Sequence, residues 1–162
     1  MHEPIAIFST GGTIDKVYFD AQSEYEVGEP QIAEILRNVG VQATYTIETI
    51  FRKDSLDLTD SDRAEVRARV VASDARRILI THGTDTMVQT GEVLADLADR
   101  TIVLVGSLTP ARFKNTDAEF NIGFAMAAVQ TLPPGVWIAM NGCVFSYDKV
   151  RKNRKMNRFE DA

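Results

Sequence analysis

Two short segments carry the residue types that chemistry on a carbonyl group needs: Ser9-Thr10-Gly11-Gly12-Thr13 and Thr81-His82-Gly83-Thr84-Asp85-Thr86. Each sets threonine hydroxyls beside glycines that leave backbone N–H groups open, and the second adds the carboxylate of Asp85. A threonine hydroxyl is a weak nucleophile at neutral pH and needs an adjacent base together with N–H donors for the developing oxyanion. The two segments supply hydroxyls and amides; their one conventional base, His82, sits between an apolar run and a glycine, where a packed turn residue is the favoured reading. A glycine turn ahead of a helix also binds anions. The chain lacks G-x-x-x-x-G-K-[ST] and G-x-G-x-x-G, so nucleotide binding ranks low. The plainest reading of either turn alone stays open: threonines cap and glycines bend.

The elements that must position these segments alternate. Ile5-Ala6-Ile7-Phe8 reads as a buried strand running straight into the first segment, and Ile78-Leu79-Ile80 as another running into the second. Met87, Gly91, Leu94, Leu97 and Ala98 then recur with helical spacing. Between Thr10 and Gly28, where Tyr18, Phe19 and Tyr25 lie, neither period is clear, which suggests a lid or binding loop. Pro30 opens a helix with Ile32, Ile35 and Leu36 on one face and Gly40 as its C-terminal cap. Val41 to Phe51 alternates as a strand, and Thr59 with Asp62 caps a helix to about Ala72. Thr101 to Val105 is a further strand. Thr116 and Glu119 form a capping box for a helix whose Phe120, Phe124, Ala127 and Ala128 share a face, and Val136 to Met140 is the fifth strand.

Five strands alternating with four helices predict an α/β fold with a doubly wound, mostly parallel sheet, flavodoxin-like, with right-handed crossovers and strand order 2-1-3-4-5. In that order strands one and three are neighbours and the switch point falls between them. The two hydroxyl-rich turns then face one crevice.

Composition narrows the function classes. The chain has 162 residues, 44% of them hydrophobic, enough for one domain with a core, and its net charge of −5 disfavours non-specific nucleic-acid or anionic-membrane binding. No apolar run approaches the ~20 residues of a membrane span, and the N-terminus lacks the features of a signal peptide, so a cytoplasmic protein is expected. Cys143 is alone, which excludes an internal disulfide, and two histidines, His2 and His82, with one cysteine give no metal signature. No cofactor is expected. Residues 146–162 are a compositional exception, with six basic and three acidic residues, and Lys149 to Arg158 within them read as a solvated, partly mobile tail rather than a nucleic-acid patch.

Ser9-Thr10-Gly11-Gly12-Thr13-Ile14 and Thr81-His82-Gly83-Thr84-Asp85-Thr86-Met87 together resemble the two signature segments of bacterial-type L-asparaginases. The likeness extends to Glu24-Tyr25-Glu26-Val27-Gly28, Asp54-Ser55-Leu56-Asp57, Val105-Gly106 with Pro110, and Asp148-Lys149-Val150-Arg151-Lys152, and spans the chain as that family's N-terminal domain. It implies Thr13 as the nucleophile that forms a β-aspartyl ester and releases ammonia, Tyr25 as the tyrosine that closes over it, and Thr84, Asp85 and Lys152 as a second catalytic group. It further implies that Ser55 binds the substrate α-carboxylate and Asp85 its α-ammonium. Backbone N–H groups near Thr13 and Thr84, on the Gly12 and Gly83 turns, are the candidate oxyanion donors.

The resemblance also marks departures. Ala162 falls where the family continues into a smaller domain that lends a glutamate to a neighbour's ammonium site, and Leu56 stands where a glutamine is frequent. A single catalytic domain over 1–162 with a thinner recognition shell and a raised KM is therefore expected, with L-asparagine as substrate and homo-oligomers left open. Two alternatives remain: a module that binds asparagine or aspartate without turnover, and an amidotransferase-like domain that feeds ammonia to a partner.

Overall fold

Buried, β-rich runs set the frame. The computed structural model describes residues 2–18, 25–97 and 99–162; Phe19, Glu24 and Ala98 lie outside them. In chain order the elements are β1 (Ile5–Gly11), β2 (Lys16–Tyr18), β3 (Tyr25–Val27), α1 (Gln31–Asn38), β4 (Tyr45–Lys53), α2 (Asp60–Ala72), β5 (Arg77–Thr81), α3 (Met87–Leu94), β6 (Thr101–Val105), α4 (Ala118–Thr131), β7 (Gly135–Met140), β8 (Cys143–Ser146), β9 (Val150–Asn153) and β10 (Arg158–Asp161). The central sheet runs β4-β1-β5-β6-β7-β8, parallel except for β8, which pairs antiparallel with β7. The expected order 2-1-3-4-5 is therefore present, extended by one strand. β1, β5 and β6 are buried along almost their whole length because helices cover both faces of the sheet.

Helix starts and stops follow local chemistry. The Thr59 hydroxyl accepts from Asp62 N–H while the Asp62 carboxylate accepts from Thr59 N–H, so the expected capping box opens α2. Gly40, at φ +63°, ends the α1 segment where an L side chain is disfavoured.

Crossover handedness departs from expectation. α1 packs on α4 and α2 on α3, yet the connection through α1 runs across the sheet in the direction opposite to those through α2, α3 and α4. Helices on one face with opposite lateral directions have opposite hands, so the α4 crossover differs in hand from the other three. The reason lies in the connection after β6. It passes over the strand ends, where Ala111 N–H donates to Ile14 O at 3.1 Å, and delivers α4 to the α1 face.

Four other local readings change. The Thr116/Glu119 capping box does not form: Asp117 takes the cap position, and its carboxylate accepts from Leu108 and Thr109 N–H and from the Asn121 and Asn141 amides. The inward face of α4 is Ala118, Asn121, Ile122, Ala125, Met126, Ala128 and Val129, whereas Phe120 is exposed and stacks on Phe124. That helix is apolar on nearly every side, so periodicity could not choose a face. The stretch after Gly12 contains a helical turn, Thr13–Asp15, and the paired strands β2 and β3. Residues 146–162 are a built element rather than a mobile tail: β9 and β10 form a hairpin that buries Val150 and Phe159 against the core.

Candidate active site

The parallel register aligns the ends of β1 and β5, with Ser9 opposite Thr81. Beyond that pair the Thr10 hydroxyl donates to Thr81 O at 2.8 Å, joining one turn to the other. After Ser9 pairs with Thr49 the register slips by two extra residues on β4, so that Gly11 meets Lys53, and Gly11 and Gly12 adopt φ of +102° and +89°. Gly12 N–H donates to Lys53 O at 2.9 Å. Thr13 follows as the first residue of the 13–15 helical turn and is half-buried.

The second turn sits directly against the first. A Cβ on Gly12 would lie 2.4 Å from Gly83 N, and one on Gly83 would lie 2.6 Å from Ser55 Oγ. Three candidate segments thus meet through glycine backbones. Ser55 opens a helical turn after β4, held by the Thr86 hydroxyl donating to Ser55 O at 2.8 Å. Its own hydroxyl is buried and lacks a hydrogen-bond partner among the described residues. A buried hydroxyl without a partner carries a desolvation cost that a ligand oxygen would relieve. Leu56 beside it points to solvent.

Lys152 completes the cluster from the far end of the chain. Its Nζ donates to Thr84 Oγ1 at 2.6 Å and to Asp85 Oδ1 at 2.9 Å, and its side chain is only 12% exposed. The β9–β10 hairpin makes this reach possible by anchoring Val150 and Phe159 on either side of it. Thr84, Asp85 and Lys152 are therefore brought together, as are Gly12, Gly83 and Ser55. Tyr25 lies in β3, about half exposed, with its ring tilted against Phe113 at 6.1 Å between centroids.

His82 is a packed turn residue. It is fully buried, its Nδ1 donating to Gly83 O at 2.6 Å and its Nε2 taking the Thr90 hydroxyl at 2.7 Å. Burial pushes its pKa down to about 4, so the ring stays neutral and both nitrogens are occupied in holding the turn.

Three residues at the site carried no sequence signal of their own. Asp15, two residues after Thr13, is buried; its carboxylate accepts from Gln31 N–H at 2.8 Å and from the Ser9 hydroxyl at 3.3 Å. Burial raises its pKa to about 7 against those hydrogen bonds. Phe113 came from the connection after β6, and Arg154, 3.5 Å from Asp85 Oδ1, from a basic run. A groove between α1 and α4, lined by Ile35, Val39, Ile122 and Met126, contains none of the site residues. Among the described residues no cluster of His, Cys, Asp and Glu is arranged to hold a metal, and no helix is long and apolar enough to cross a membrane.

Residues 4–160 match the family described as "Asparaginase, N-terminal". The chain belongs to the asparaginase family. The glutaminase-asparaginase of Acinetobacter glutaminasificans is 30% identical, matching 91% of this chain and 49% of its own length. L-asparaginase 2 of Escherichia coli K12 is also 30% identical, matching 91% of this chain and 46% of its own length. L-asparaginase I of Vibrio cholerae shares the fold, with a TM-score of 0.87 at 22% identity over 99% of this chain and 52% of that one. This asparaginase-family chain spans about half the length of the curated relatives it matches.

Proposed function

We propose that this chain is an amidohydrolase that converts L-asparagine to L-aspartate and ammonia through an ester on Thr13. The observation that carries the reading is the Thr84–Lys152–Asp85 cluster. Residues 67 and 68 positions apart in sequence converge within 2.9 Å, on the strand-end edge that also bears the Gly12-Thr13 turn. A structural ion pair alone gives no reason for a lysine to donate to a buried threonine hydroxyl beside the Gly12 and Gly83 turns.

In this reading the Thr13 hydroxyl attacks the side-chain carboxamide carbon, and backbone N–H groups near Thr13 and Thr84 take the oxyanion, the Gly12 N–H being held by Lys53 O. The hydroxyl proton leaves through the Thr84–Lys152 pair, which returns one to the departing nitrogen, so ammonia is released and the acyl group stays on Thr13. Water then attacks the ester, its proton following the same route, and aspartate leaves. Ser55 holds the α-carboxylate and Asp85 the α-ammonium, while Tyr25 covers the nucleophile from β3. No step calls for a metal or cofactor.

Ammonia release from L-asparagine by the purified chain, beside Thr13→Ala and with glutamine and aspartate controls, tests this. Turnover that Thr13→Ala abolishes is the expected result. Asparagine-dependent thermal stabilisation without turnover would replace hydrolysis with a binding role. The name of the Acinetobacter relative makes glutamine the first competing substrate to measure.

A further inference from the structure

The carboxylate of Asp85 faces two cations of unlike character. Lys152 lies 2.9 Å from Oδ1 with 12% of its side chain exposed, fixed by its second bond to Thr84. Arg154 approaches the same oxygen at 3.5 Å with 64% of its side chain exposed. Lys152 lies in β9 and Arg154 in the turn that follows it, and both reach Asp85 from that end of the hairpin. Arg151 and Arg158 instead pair with Glu160, at 2.9 and 3.4 Å, and leave Asp85 to the other two.

An exposed, long ion pair is worth little and breaks readily, whereas a buried and doubly bonded one does not. Lys152 is thus a fixed part of the cluster and Arg154 a displaceable one. We propose that Arg154 is a specificity-determining residue that competes with the ammonium of an amino-acid substrate or product for Asp85. The guanidinium occupies the carboxylate while the site is empty and swings to solvent when an ammonium arrives, so every amino-acid ligand binds against this competition. A ligand that carries carboxylates but no ammonium meets no such competitor. This rests on the assignment of Asp85 to the substrate ammonium.

Equilibrium binding of L-aspartate and of succinate, which lacks the ammonium, to the whole chain and to Arg154→Gln tests the proposal. The expected result is a three- to tenfold fall in the aspartate dissociation constant on losing Arg154, with succinate unchanged or weaker, and near-original aspartate affinity in Arg154→Lys, which keeps the cation. Unchanged or weakened aspartate binding in Arg154→Gln, or equal tightening of both ligands, would overturn it. Asparagine turnover by the unmodified chain, measured in parallel, reports separately on hydrolysis. Turnover with no change in aspartate affinity refutes the competition alone, and selective tightening without turnover refutes hydrolysis alone.

Discussion

Gly12 and Gly83 touch backbone to backbone: a Cβ on Gly12 would stand 2.4 Å from Gly83 N and 2.5 Å from its Cα. Neither partner is a flexible side chain that can yield, and Gly12 also holds φ at +89°. Gly12→Ala should therefore force the two turns apart. We expect a stability loss of ~1–3 kcal/mol with asparagine turnover reduced at least ~100-fold, since misplacement by about 1 Å has that effect on rate. A variant with near-normal turnover would show that the turns need not touch for activity.

Lys152 links residues that the strands alone do not bring together. Replacing it with methionine keeps the stem that packs in the hairpin but removes the donor to Thr84 and Asp85. Turnover should drop ~100- to 10,000-fold, the range of a lost acid–base group, while circular dichroism and the melting profile remain those of a folded protein. A kcat within a few-fold of the parent would return Lys152 to a structural role.

Asp15 and His82 should oppose each other in pH dependence. Burial raises Asp15 from 3.8 to about 7, so the folded protein keeps a proton the unfolded chain has lost, and stability falls as pH rises across that window. His82 is pushed from 6.5 to about 4, so the unfolded chain binds a proton the fold refuses, and stability falls as pH drops through that window. Each slope is at most ~1.4 kcal/mol per pH unit, and the two nearly cancel between the limits they share. Urea unfolding of Asp15→Asn against the parent should show the variant gaining stability relative to the parent as pH rises toward 7. A difference that stays constant from pH 4 to pH 7 would show that Asp15 titrates normally in the fold.

Asp117 and Glu119 distinguish the observed helix start from the capping box the sequence suggested. The Asp117 carboxylate accepts from two backbone N–H groups and two asparagine amides, whereas Glu119 is exposed. Asp117→Ala should cost about 3 kcal/mol, because buried and half-buried donors lose a charged acceptor, and Glu119→Ala less than ~0.5 kcal/mol. Equal effects in thermal or urea unfolding would contradict this division.

What the sequence determined by itself was local chemistry and its order. Apolar runs ending in Thr10-Gly11-Gly12-Thr13 and Thr81-His82-Gly83-Thr84-Asp85 are legible as strands entering turns, because strand burial and glycine turns are written in adjacent residues. The capping box of α2 was equally plain, with both partners three positions apart. The tertiary structure alone decided how distant pieces meet. The face of α4 could not be read because that helix is apolar nearly all round, and Asn121 turns inward only because Gly106 O and Asn141 N–H are there to meet it. The hairpin at 150–161 looked like a charged tail because its two anchors, Val150 and Phe159, are too few to show a period. The hand of the α4 crossover follows from the route of the connection after β6, whose Ala111 meets Ile14 O far away in the chain. Contacts of this kind arise from the packed surface, where no local pattern of residues encodes them: the family resemblance already grouped Lys152 with Thr84 and Asp85, but the approach of Arg154 to Asp85 is visible only in three dimensions.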